Sequence, residues 1–128
     1  MLFDDDPMCL ELYRALEDIV TSELENVTVV WKKTQVSFFR KHMFMCASLL
    51  RVLRKSEMPY PYVTVTIGLM RRLDNPRVAG CTEPYKGRFT HHIIISSESD
   101  IDSELMEWIR EAAEAVLETS ACLDAPAF

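Results

Sequence analysis

A chain of 128 residues, 48% hydrophobic and 27% charged, is sized for one globular domain that buries roughly two-thirds of its unfolded surface. Its formal net charge of -6 excludes a bulk electrostatic drive towards nucleic acid or anionic membranes, although a local basic patch can still hold phosphate. No apolar run approaches the roughly 20 residues of a bilayer span, and Cys9, Cys46, Cys81 and Cys122 lack the paired spacing of a structural zinc site. The cysteines read as free thiols, no leader precedes Asp4, and the expected compartment is a reducing cytoplasm.

Asp6 followed by Pro7 is a helix start, with a capping carboxylate ahead of a proline whose missing donor costs nothing there. The spacing of Cys9, Leu12, Ala15, Leu16, Ile19 and Leu24 predicts a helix to about Leu24 with one apolar stripe. Asp4, Glu11, Asp18 and Glu25 recur on the other side as a solvated acidic face.

From Val27 the period changes to two. Val27, Val29 and Trp31 alternate with Thr28, Val30 and Lys32, and a turn at Lys33-Thr34 leads into a second strand from Gln35 to Arg40. Lys41-His42 turns the chain into a third strand from Met43 to about Leu50. A polar loop from Arg51 to Pro61 precedes a fourth strand, Tyr62 to Ile67, which Gly68 is expected to end. Leu69 to Arg88 then reads as one long connection. It carries Arg71, Arg72, Arg77, Lys86 and Arg88 against only Asp74 and Glu83, so the acidic chain turns locally basic.

Phe89 to Ser96, with three consecutive isoleucines, reads as a central strand covered on both faces. Phe89, His91, Ile93 and Ile95 share one face, and Thr90, His92, Ile94 and Ser96 share the other. The two histidines therefore point apart and cannot clip one metal ion. Which of them faces away from the helices depends on docking: if Phe89, Ile93 and Ile95 lie under the helices, His92 joins Thr90 on the open face. Finally, Asp102 caps a second helix whose stripe is Leu105, Trp108, Ile109, Ala112 and Val116, with Ile101 stapled onto Met106.

The element order predicts one α+β domain over 1–128, frayed at 1–5 and 123–128. Its architecture is a two-layer sandwich in which a five-stranded, mainly antiparallel sheet carries both helices on one face. The other face, showing Thr64, Thr66 and one histidine, is left half open and polar. With the basic connection it suits an anionic ligand.

Lys33-Thr34-Gln35-Val36-Ser37-Phe38, Gly68-Leu69 with Arg71-Arg72-Leu73-Asp74 and Pro76-Arg77, Gly87-Arg88-Phe89-Thr90-His91-His92 and the helix after Ile101 together resemble the bacterial domain-of-unknown-function 5655 family. The resemblance implies a shared fold and supplies no reaction. More distantly, the helix, sheet, helix order is similar to frataxin-like and YjbR-like folds, a likeness of fold alone.

Lys33, Gln35, Arg71, Arg72, Arg77, Arg88, Thr90 and one of His91 and His92 are the candidate ligand set, because guanidinium forks and amide donors match phosphate or carboxylate oxygens. The competing account is that these residues satisfy one another and the loop backbone, with Glu83 as an internal partner. A lone strand histidine is more often a hydrogen-bonded structural residue than a base. Ser37, Ser96 and Cys81 lack the setting of an activated nucleophile, and neither a metal-ligand set nor a cofactor motif is visible. Two readings result. The first is a non-enzymatic binding or accessory module for a phosphate-bearing molecule, nucleic acid or a protein partner; the second is a small enzyme or frataxin-like metal binder using a histidine and acidic residues.

Overall fold

The computed structural model describes residues 6–118; the expectations for 1–5, 123–128 and Cys122 lie outside them. Helix α1 spans Pro7–Glu23 and helix α2 spans Ser103–Glu118. Between them run β1 (Thr28–Trp31), β2 (Gln35–Phe39), β3 (Met43–Ser48), β4 (Val63–Leu69), β5 (Val78–Tyr85) and β6 (Arg88–Ile95). All neighbours are antiparallel, in the order β1-β2-β3-β4-β6-β5.

The α+β class and the two terminal helices are as expected, but the sheet has six strands rather than five. The additional strand, β5, lies in the stretch read as a long connection. Gly80 and Pro84 interrupt its apolar alternation, and its register with β6 shifts between Val78 and Gly80 and again between Thr82 and Tyr85. At the sheet edge, a proline lacking its N–H costs no ladder bond on the unpaired side. Nor does Gly68 end β4: it pairs with Thr90, and Leu69 pairs with Phe89, because β6 is long enough to hold the strand beyond the glycine.

Cap chemistry sets both helix starts. Asp6 Oδ1 accepts the Cys9 N–H at 3.1 Å, and Asp102 Oδ1 accepts the Leu105 N–H at 3.0 Å. Cys9, Leu12, Tyr13, Leu16 and Val20 of α1 are buried, as are Leu105, Met106, Trp108, Ile109, Ala112 and Val116 of α2. They join a single core with Val36, Phe38, Met45, Ala47, Val65, Ile67, Ile93 and Ile95 of the sheet. Fully burying one such large aliphatic chain contributes about 1.5–3 kcal/mol. Tyr13, absent from the expected stripe, is completely buried, with its ring edge-on to Trp31 at 5.1 Å.

Register identifies the two faces. Phe38, Met45, Ile67 and His91 form one cross-strand row beneath the helices, and Val36, Ala47, Val65 and Ile93 form the next. Phe89, Ile93 and Ile95 therefore take the helix side, and His92 takes the other.

Candidate functional site

On the helix-free face a second cross-strand row runs Val30, Ser37, Cys46, Thr66, His92 and Gly80 through six strands. Beside it, Gln35, Ser48, Thr64 and Ile94 are in register. Cys46, Thr66 and His92 of the first row and Gln35 and Ser48 of the second form the floor of a cavity of about 650 Å³, lined also by Lys33, Thr34, Met43, Leu49 and Leu50. The volume falls within the roughly 300–1,000 Å³ of small-molecule sites.

The rim is fastened to the floor. Tyr62 donates its hydroxyl to the Leu49 carbonyl at 2.7 Å, and Thr64 donates to the Leu50 carbonyl at 2.6 Å. Ser48 Oγ accepts the Leu50 N–H at 3.2 Å. Leu49 and Leu50 are thus held as an apolar wall by three polar side chains of β3 and β4 and their junction. On the neighbouring strand Gln35, in register with Ser48, donates its amide to Ser37 Oγ at 3.0 Å and to the Met43 sulfur at 4.0 Å, which orients it.

In the floor, Thr66 Oγ1 lies 2.9 Å from His92 Nδ1. Burial lowers the His92 pKa, so the ring is neutral at pH 7. Burial pushes the Cys46 thiol up, against the Thr66 hydroxyl and the Lys32 charge, which pull it down. The ammonium of Lys32 stands over the Phe39 ring, 5.9 Å from its centroid. Lys33 brings positive charge to the hairpin end of this face, and the Lys32 ammonium lies further along it, towards the Phe39 end of β2. No Asp or Glu is among the lining residues.

Of the residues singled out from sequence, Lys33, Gln35 and His92 line this cavity together. Thr90 and Arg88 share its sheet face further along β6. Arg88 is outside the lining, and its Nε is buried with no hydrogen-bond partner among the described residues. The other four residues sit on the helix side. Arg71 makes a two-pronged pair with Glu111, at 2.9 Å on each arm. Arg77 Nη1 reaches Asp102 at 2.8 Å and Glu104 at 3.1 Å, Nη2 donates to the Asp100 carbonyl at 2.7 Å, and the guanidinium lies 5.7 Å from the Trp108 centroid. Arg72 is exposed near His91. His91 is fully buried and accepts the Leu73 N–H at Nε2, 3.0 Å away.

Arg71, Arg72 and Arg77 of the basic segment thus lie on the opposite side of the sheet from the polar face, and Arg88 alone of the candidate arginines shares that face. Acids of α2 hold Arg71 and Arg77, and Glu83, the partner expected from sequence, instead accepts the Gly87 N–H at 3.0 Å. Lys32, Cys46, Ser48 and Thr66 complete the cavity side and were not among the expected ligand residues. Thr66 had a signal in the alternation of β4, whereas the placing of Cys46 and Ser48 beside it depends on strand order.

Among the described residues, no group of three or more His, Cys, Asp or Glu side chains could hold a metal ion, and no helix is long and apolar enough to cross a membrane. Residues 3–115 match the family described as Domain of unknown function (DUF5655), and the chain belongs to that family. No curated protein and no solved structure matches it.

Proposed function

We propose that this domain is a binding module for a small organic anion, taken up in the cavity of its helix-free face. The observation that carries the reading is the lining itself. Lys33 and the oriented Gln35 amide stand at one end, the uncharged donors and acceptors Ser48, Thr66 and His92 lie along the floor, and no carboxylate is present. A concave site with a few convergent polar groups on an otherwise apolar wall is the usual form of a small-molecule pocket.

The same geometry supports a small ligand over nucleic acid. A nucleic-acid surface needs free cations along a groove, whereas Arg71 and Arg77 are already paired with Glu111, Asp102 and Glu104. The cytoplasm suits such a role, since the free thiols Cys9, Cys46 and Cys81 stay reduced there.

The test is thermal denaturation of the purified protein with simple and organic anions, and with heparin as a polyanion control. A ligand at a hundredfold excess over its dissociation constant stabilises the fold by about 2.7 kcal/mol, a shift of several degrees. The expected result is a rise with organic anions that Lys32→Ala/Lys33→Ala abolishes and Arg72→Ala leaves intact. Stabilisation by heparin alone, or by no anion, would overturn the reading.

A further inference from the structure

Two ends of the cavity differ in kind. Its hairpin end carries Lys33 and Gln35, with Lys32 over Phe39 on the same sheet face. The far end, at β6, carries His92, already bonded through Nδ1 to Thr66. From β2 to β6 there are three inter-strand steps, roughly 14 Å at about 4.8 Å each. Between the two ends the lining is Met43, Cys46, Leu49 and Leu50, an apolar stretch interrupted only by hydroxyls.

From this arrangement we infer that the ligand is an elongated molecule with unlike ends: a phosphate or carboxylate at Lys33, an apolar ring or chain over Met43 and Leu49, and a neutral hydrogen-bonding edge at His92. The inference rests on the anion-binding reading and adds the ligand's length, polarity and orientation.

The chemistry at each end argues for that orientation. A neutral imidazole has one N–H and one acceptor nitrogen, and Thr66 occupies Nδ1. Nε2 is then the one ring nitrogen left for a ligand. If the Thr66 hydroxyl donates to Nδ1, Nε2 carries the proton and donates to a ligand carbonyl; in the other tautomer it accepts from a ligand N–H. Either way the contact is uncharged. A second anion at that end would be desolvated opposite a neutral ring, an unfavourable placement. At the hairpin end an anion meets lysine charge, and no carboxylate repels it.

Size gives an independent argument. A bare phosphate or acetate ion fills only the lysine end and leaves the Met43, Leu49 and Leu50 wall wet, whereas a ligand of nucleotide length removes that apolar surface from water.

The experiment is calorimetric titration of the full chain at pH 7.5 with nucleoside 5′-monophosphates and an aryl carboxylate of similar length. Inorganic phosphate, acetate and the parent nucleosides are the truncated probes. At least one long anion is expected to bind tenfold or more tightly than its truncated counterparts. His92→Leu should weaken it about tenfold and leave phosphate binding unchanged, whereas Lys33→Met should weaken both. Phosphate binding as tight as the best long anion, or His92→Leu and Lys33→Met acting alike on phosphate, would overturn the two-ended ligand while leaving anion binding intact. Absence of binding by every probe would remove both readings. Circular dichroism of each variant separates lost binding from lost folding, and His92→Gln, which keeps a hydrogen-bonding head, should recover part of the affinity if the fold is intact.

Discussion

The Thr66 hydroxyl reaches Nδ1 of His92 at 2.9 Å across the β4–β6 pair, and this bond fixes the ring against the cavity floor. Thr66 is almost fully buried, so its hydroxyl has no bulk water to fall back on. Thr66→Val keeps the shape and removes the bond. The expected loss is about 1 kcal/mol in urea denaturation, with a change in the His92 ¹⁵N shifts that report its tautomer. Unchanged ¹⁵N shifts would mean that Thr66 does not orient the ring.

His91, on the opposite face, ties the basic segment to the core. Because the Leu73 N–H donates to Nε2, that nitrogen must be unprotonated, and Nδ1 carries the hydrogen of the neutral ring. Burial lowers the His91 pKa, and the Arg72 and Arg71 charges add to it against the opposing Phe89 carbonyl; for His92 burial alone lowers it. A folded-state pKa below the unfolded value of about 6.5 means that the unfolded chain takes up the proton first. Stability from these rings is therefore complete above about pH 6.5 and falls as pH drops towards the folded pKa values. The steepest slope is about 1.4 kcal/mol per pH unit for each ring. Urea midpoints should fall between pH 7.5 and 5.5, and His91→Gln, whose amide oxygen can still accept from Leu73, should flatten that dependence. A slope unaltered by His91→Gln would contradict the assignment.

Much of this fold was legible because local pattern and tertiary packing agree. The Asp6-Pro7 and Asp102 caps, the alternation of Val63, Val65 and Ile67, and the divergence of His91 and His92 follow from dihedral preference and period alone. Strand β5 was not legible: an edge strand supported from one side tolerates Gly80, Pro84 and two register shifts, which erase the alternation that marks a strand. The partners of the arginines were hidden for another reason. Arg71 meets Glu111 and Arg77 meets Asp102 only after α2 docks, at separations of 40 and 25 residues along the chain. The cavity was half visible. His92, Lys33 and Gln35 carry polar chemistry that can be read in place, but Cys46 and Ser48 join them only because β3 lies between β2 and β4.

Asp102 has two tasks that substitution can separate. Its Oδ1 accepts the Leu105 N–H at the start of α2 and also faces Arg77 Nη1, and the carboxyl is held below the usual range first by that N–H and then by Arg77. Asp102→Asn retains a capping oxygen and loses the charge, whereas Asp102→Ala loses both. Because exposed ion pairs contribute about 0.2–1 kcal/mol and a cap typically about 1 kcal/mol, alanine should cost about 1–2 kcal/mol and asparagine less than 1. Arg77→Ala should cost about 1–2 kcal/mol, since it also uncovers Trp108 and frees the Asp100 carbonyl. Chemical denaturation ranks the three, and equal losses for asparagine and alanine would show that charge, not capping, dominates at Asp102. None of these changes should alter affinity in the cavity, because the Arg77 cluster lies on the helix side of the sheet and the lining residues lie on the other.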